Sequence, residues 1–199
     1  MQSKTLFNEN GHQWIVIGRD PHKDAHVIDT NEYLIISRGQ AMLLDPGGIQ
    51  IFPQVLAELA KYVRVQDIRV IFASHQDPDI SSSRAMWLDL NLGIKTYCSW
   101  LWTGFISHFS TGTAIGLNAI PDEGMRIKIG DLGVEGEAVP AHYCHSSGNF
   151  SLYDPLAGIL LSGDIGSALV PSHEADLIVT DFDHHIQYMR GFHLRWIPS

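Results

Sequence analysis

Apolar residues along this chain fall mostly in short blocks of strand length, separated by turn-forming residues. Trp14-Ile15-Val16-Ile17-Gly18 predicts a first strand, ended by the turn signal Arg19-Asp20-Pro21. Ala25 to Asp29, Tyr33 to Ile36 and Ala41 to Leu44 follow closely, joined by Thr30-Asn31-Glu32 and Arg38-Gly39-Gln40. This spacing predicts an antiparallel meander. It closes at Asp45-Pro46-Gly47-Gly48, where glycine permits a positive φ. The period then changes: apolar residues at 51, 52, 55, 56, 59 and 63 share one helical face between Ile51 and Val63.

Ile68-Arg69-Val70-Ile71-Phe72-Ala73 is a β-branched run that predicts a buried strand. It runs into Ser74-His75-Gln76-Asp77-Pro78-Asp79-Ile80, after which Ser81-Ser82-Ser83 offer caps for a helix from Arg84 to Leu92. Lys95 to Cys98 is a short strand. The aromatic segment Ser99 to Ile106 suits core packing or one wall of a pocket. Further strands fall between Ala114 and Val139, punctuated by Pro121-Asp122-Glu123-Gly124 and Gly130-Asp131. Asn149 to Tyr153 and Gly158 to Leu161 predict a hairpin through Asp154-Pro155, and Asp181 to Trp196 predicts a final helix. Two blocks of strands with helices around them imply an α+β sandwich of two β-sheets with outer helices.

A chain of 199 residues is long enough for one domain with a substantial core. Its net charge of −9 weighs against general affinity for nucleic acid or anionic membrane. No apolar stretch approaches spanning length. Cys98 and Cys144 form no C-x-x-C pair and no N-terminal signal pattern is present, which together suggest a reducing cytoplasm. Eleven histidines raise the weight given to metal chemistry.

His75, Asp77 and Asp79 place an imidazole and two carboxylates at the end of a buried strand, on a turn stiffened by Pro78. Carboxylates that close repel each other unless a cation lies between them. The plainer alternative is a polar strand-to-helix loop. His142 and Asp164 also follow apolar strands; taken singly, each reads equally well as an ordinary loop residue. Taken together, the five describe a site assembled from separate strand ends, whose oxygen-rich ligation suits iron, manganese or zinc. Asp164 has two oxygens with which to bridge two metals. Tyr143 and His145 adjoin the ligands, where either could hydrogen-bond to a bound molecule. Cys144 reads as a small buried neighbour.

The order H-x-D-x-D, then His, then Asp, resembles the metallo-β-lactamase superfamily, and within it the diiron branch: flavodiiron proteins and the stand-alone oxygen-binding diiron proteins. The segments that carry the likeness are Leu43-Leu44-Asp45-Pro46-Gly47-Gly48, Ala73 to Ile80, Leu101-Trp102, Ala141-His142 with His145-Ser146, Tyr153-Asp154-Pro155, Leu161 to Gly166 and Gly191-Phe192-His193. They span nearly the whole chain. The resemblance implies an αββα sandwich of two mixed sheets. It implies that His75, Asp77 and His142 hold a first iron, that Asp79 holds a second, and that Asp164 bridges them. The carboxylate at Asp77 departs from zinc hydrolases, which place a histidine there, and Ile80 stands where those enzymes carry another. The hard carboxylate oxygen at Asp77 favours iron over zinc.

The family pattern continues beyond the last helix to a final histidine ligand. His184, His185 and His193 do not match it, so the expectation is a single domain over 1–199 that lacks its C-terminal end. The resemblance implies a cytoplasmic homodimer with two non-haem irons that binds or senses dioxygen, in a group where some members work with chemotaxis receptors. With no flavodoxin-like FMN domain among these residues, reduction of oxygen or nitric oxide would be slow and would need an external electron donor. The alternatives are a metal-dependent hydrolase of the same fold, acting on an ester, thioester or phosphodiester, and a regulatory domain with a degenerate site.

Overall fold

The computed structural model describes residues 1–20, 22, 28–109, 116–131, 134–171 and 175–196. Seven strands form the larger sheet in sequential order: β1 (Gln2–Glu9), β2 (His12–Gly18), β3 (Asn31–Ser37), β4 (Gln40–Leu44), β5 (Ile68–Phe72), β6 (Lys95–Ser99) and β7 (Leu117–Ile120). Neighbours from β1 to β4 pair antiparallel, with two-residue turns joining β1 to β2 and β3 to β4. From β4 to β7 they pair parallel, which requires crossovers. Those crossovers carry α1 (Phe52–Leu59), the short α2 (Pro78–Ser81), α3 (Arg84–Leu90) and α4 (Thr103–Ile106). The smaller sheet holds β8 (Met125–Lys128), β9 (Glu135–Pro140), β10 (Phe150–Asp154) and β11 (Ile159–Leu161), in the order β11-β10-β9-β8. It is antiparallel throughout, rather than mixed, because its strands are joined as hairpins and short connections. Helix α5 (Phe182–Trp196) follows.

Side-chain alternation along the strands divides the interior into two layers. Ile15, Ile17, Leu34, Leu43 and Ile71 face one way and pack on Val55 and Leu59 of α1 and on Trp87 and Leu88 of α3. Trp14, Ile35, Met42, Leu44, Val70 and Phe72 face the other way and meet Ile127, Ile129, Phe150, Leu152 and Leu161 around the second sheet. The larger sheet is thus covered on both faces, which is why β2, β4 and β5 read as nearly continuous apolar runs. Two sheets packed face to face, with helices outside the larger one, are the sandwich expected from the sequence.

Local details differ from the expectation. Strand β1 was not predicted: it lies at the sheet edge, is mostly exposed, and carries a bulge between Thr5 and Phe7, so its apolar residues do not alternate. The predicted strand over Ala25 to Asp29 and the start of the 114–139 block lie largely outside the described residues. α1 stops at Leu59, with Pro53 in its first turn. α3 ends at Leu90 because the Asn91 amide donates to the Val65 and Ile68 carbonyls and leaves the helical path. Ser83 occupies the N-cap position of α3, yet its hydroxyl donates to the Pro46 carbonyl 2.9 Å away and fixes the turn after β4 instead. Among the described residues no helix is long and apolar enough to cross a membrane.

Candidate metal centre

The parallel register pairs Leu44 with Phe72, so β4 and β5 end side by side and present Asp45 next to Ser74. Asp45 has a positive φ of 48°, which turns its side chain back toward the neighbouring strand end. It accepts hydrogen bonds from the Ser74 backbone N–H at 2.7 Å and from the Ser74 hydroxyl at 2.8 Å. The Ser74 oxygen, having donated its proton, accepts from His75 Nδ1 at 2.9 Å. That assigns the Nδ1–H tautomer to His75 and leaves the Nε2 lone pair free. Nε2 is buried and has no hydrogen-bond partner. An orphaned acceptor inside a protein calls for a partner.

What Nε2 faces is acidic. It lies 3.5 Å from Asp77 Oδ2 and 3.8 Å from Asp164 Oδ2. His145 Nε2 approaches the same two oxygens, at 3.3 Å and 3.8 Å. The two imidazoles meet edge to face with centroids 4.7 Å apart. One donor atom from each of His75, His145 and Asp164 lies within 4.8 Å of the other two. Asp77 sits at the N-cap of α2 without capping it; Gln76 Nε2 donates to its Oδ1, and Oδ2 is left for the histidines. Asp164 is delivered by a turn that favours glycine. Gly163 has a φ of +62°, and a Cβ there would lie 3.0 Å from Ser74 Oγ and 3.2 Å from Asn149 Oδ1.

The charges are arranged to hold protons or a cation. The hydrogen bond with His145 and the close approach of the His75 imidazole keep the Asp77 carboxyl well below the usual range, in spite of its partial burial. Burial pulls the His75 imidazole down, but the negative charges of the nearby Asp77, Asp45 and Asp164 carboxylates more than offset it and raise it. Burial raises Asp79, with Asp77 and Asp164 adding to the shift. Burial also pushes Asp45 up to about 6, although His75 and Ser74 oppose it. Two carboxylates, Asp77 and Asp164, set against two imidazole nitrogens are the donor set of a hard or borderline divalent cation.

Not all of the expected ligands converge. His75, Asp77 and Asp164 do. Asp79 stands close enough to feel their charges; neither it nor Asp77 belongs to the group of three donors mutually within 4.8 Å, but Asp77 Oδ2 lies against both imidazoles. His142 turns away: its Nε2 bonds to the Asp122 carbonyl at 3.0 Å, and its ring packs edge-on against Phe150. The nitrogen beside Asp77 and Asp164 belongs instead to His145, which the sequence had suggested only as a neighbour of the ligands. Tyr143 is 74 % exposed with a φ of +63°, and this reversal helps direct residues three apart to opposite sides of the loop. Cys144 is exposed rather than buried. The Asp45–Ser74 relay was not anticipated; its trace in the sequence is a serine directly before the first histidine.

An αββα sandwich with a His/Asp cluster at the ends of its strands defines a metallo-β-lactamase-like protein. A family model described as ODP family beta lactamase matches residues 28–199, and the chain belongs to that family. Two solved structures are similar over the whole chain. The peroxy diiron species of chemotaxis sensor ODP shares 36% identity, with a TM-score of 0.84, and is covered over 77% of its length. The apo state of chemotaxis sensor ODP from T. denticola shares 37%, with the same TM-score and coverage. A flavo di-iron protein from Thermotoga maritima shares 19% identity at a TM-score of 0.78 over 98% of this chain, which spans 50% of that protein. At that identity the likeness is one of fold. A comparison with curated protein sequences finds no match.

Proposed function

We propose that this protein is a non-haem diiron protein that binds dioxygen and acts as an oxygen sensor. The observation that carries the reading is the buried, unpartnered Nε2 of His75, aimed at two carboxylates and joined there by a second imidazole. His75, Asp77 and His145 would hold one iron, with His145 in the place the sequence had assigned to His142. Asp164 would bridge to a second iron that Asp79 also serves. The names of the family relatives support iron and signalling over hydrolysis.

When bound, a ferrous pair supplies two electrons to dioxygen and open positions at which to hold it. The residues of the chain do the rest. Asp45, through Ser74, keeps the His75 proton on Nδ1 and so keeps Nε2 basic. Asp77, Asp79 and Asp164 supply the negative charge that favours the metals in their higher oxidation state. We further propose a cytoplasmic homodimer, residues 1–199 folding as one domain, and signalling through a chemotaxis-receptor partner. Turnover as a slow reductase would need an external electron donor.

The test is metal analysis of protein purified without oxygen, with optical spectra before and after air is admitted. About two irons per chain, as a bridged carboxylate pair requires, with a new visible charge-transfer band on exposure, is the expected result. Zinc with no optical change would sink the proposal and favour a hydrolase.

A further inference from the structure

His75 and His145 are held in different ways. Through its Nδ1, His75 is hydrogen-bonded to Ser74 and so tied to Asp45. The Nδ1 of His145 is buried and makes no hydrogen bond among the described residues. A metal-binding histidine ordinarily has its second nitrogen anchored, because an unanchored ring rotates about χ2 at little cost. Something else must fix the His145 ring. On one side it meets the edge of His75. On another, the ring of Phe192 lies nearly parallel to it, 6.2 Å between centroids and 23° between planes, within the range of offset stacking.

Phe192 comes from α5, whose placement is unusual. The helix has no fully buried residue. Its partly covered positions include His185, Met189 and Phe192, a single stripe at helical spacing. That stripe rests on the loops that supply the metal cluster. Met189 packs against Gly166, where an added Cβ would lie 3.1 Å from the Met189 methyl, two residues beyond Asp164. Phe192 packs on His145. The Tyr188 carbonyl accepts a hydrogen bond from the Leu169 N–H, at a long 3.4 Å, just past the same loop.

We infer that Phe192 is a positioning residue of the metal centre: by stacking on His145 it holds that imidazole toward Asp77 and Asp164, and it thereby ties α5 to the occupancy of the centre. This rests on the metal-binding reading given above. The coupling is reciprocal by thermodynamic necessity. If α5 holds the ring for the metal, the metal holds α5 in place. A helix that makes only a stripe of contacts, and one of them to a ligand ring, is well placed to change its docking when the centre fills or empties.

The experiment is cobalt(II) titration of metal-free protein followed by its visible spectrum, together with amide hydrogen exchange over 182–196. The proteins compared are the wild type, Phe192→Ala, Phe192→Tyr and Leu194→Ala, the last a residue of the same helix that is 89% exposed. Phe192→Ala is expected to bind cobalt about ten- to hundred-fold more weakly, as loss of a ligand's outer support does, and to shift the ligand-field bands. Phe192→Tyr, which keeps the ring, should restore both, and Leu194→Ala should match the wild type. Cobalt should slow exchange in α5 of the wild type and not of Phe192→Ala. Wild-type affinity, spectrum and α5 protection in Phe192→Ala would overturn the inference and leave the centre standing. A wild type that binds no cobalt would overturn the centre itself, and this inference with it.

Discussion

Asp45 takes both of its close hydrogen bonds from one residue, Ser74, whose backbone N–H lies at 2.7 Å and whose hydroxyl lies at 2.8 Å. Because the same hydroxyl oxygen accepts from His75, the geometry of β4 is transmitted to the nitrogen on the far side of that imidazole. Ser74→Ala removes the link and leaves the fold. Metal affinity is expected to fall about ten- to hundred-fold, and folding stability by about 1–3 kcal/mol for the buried groups left unpaired. Isothermal metal titration and chemical denaturation of the metal-free protein measure the two separately. Unchanged metal affinity would mean that the tautomer of His75 is fixed by something other than the relay.

His142 and His145 differ by three positions and are predicted to differ sharply in effect. His145→Ala should lose most metal binding, since its Nε2 is the one beside Asp77 and Asp164. His142→Ala should retain stoichiometric binding and lose only its hydrogen bond to the Asp122 carbonyl, a cost of about 1 kcal/mol. Metal content after dialysis decides the matter; the reverse result would restore the assignment made from sequence.

Glu32 is fully buried in β3 with one carboxylate oxygen unpartnered. Its other oxygen accepts from the Thr30 hydroxyl at 2.7 Å, and a Cβ on Gly47 would come within 3.0 Å of it. Burial pushes this carboxyl up to about 8 from an ordinary 4.5, with the Thr30 hydrogen bond opposing the shift. Between those values the unfolded chain has lost the proton and the folded chain keeps it. Stability should therefore fall as pH rises through that window, at up to about 1.4 kcal/mol per pH unit from this group. Glu32→Gln removes the contribution, so denaturation midpoints measured from pH 5 to 9 should flatten relative to the wild type. Parallel pH profiles would refute the role.

Asp154 pins the two sheets together. Its Oδ2 accepts from Trp14 Nε1 and pairs with His12 Nε2, both at 2.6 Å, while Oδ1 takes the Leu156 and Ala157 N–H groups of the turn after β10. Burial alone would raise this carboxyl, but the His12 and Trp14 hydrogen bonds lower it. A depressed carboxyl stabilises the fold above its ordinary range, and that stability is lost as pH falls through the folded value. Asp154→Ala strands a buried histidine and indole, and is expected to cost about 3–5 kcal/mol. Thermal unfolding of the metal-free protein checks it; a loss under 1 kcal/mol would show that the cluster relaxes or admits water.

Much of this protein is determined by local sequence. The apolar runs of β2 to β5, the change to helical period at α1, and His75, Asp77 and Asp79 behind a buried strand can all be read along the chain. These features are short-range, fixed by side-chain alternation and by the chemistry of neighbouring residues. The family likeness adds Asp164.

What tertiary structure decided lies across chain separations that no local pattern records. β1 owes its place to an edge of the larger sheet, and its polar sequence gave no strand signal. His142 and His145 are indistinguishable by spacing in an irregular loop; the positive φ of Tyr143 and the acceptor at Asp122 helped select which ring faces the acids. Asp45 meets Ser74 only because β4 and β5 end in register, and Phe192 meets His145 only because α5 lies across the ligand loops. The sequence determined which groups are available to bind a metal, since residue type sets donor chemistry. Only the packing of separate strand ends determined which of them point at the same place.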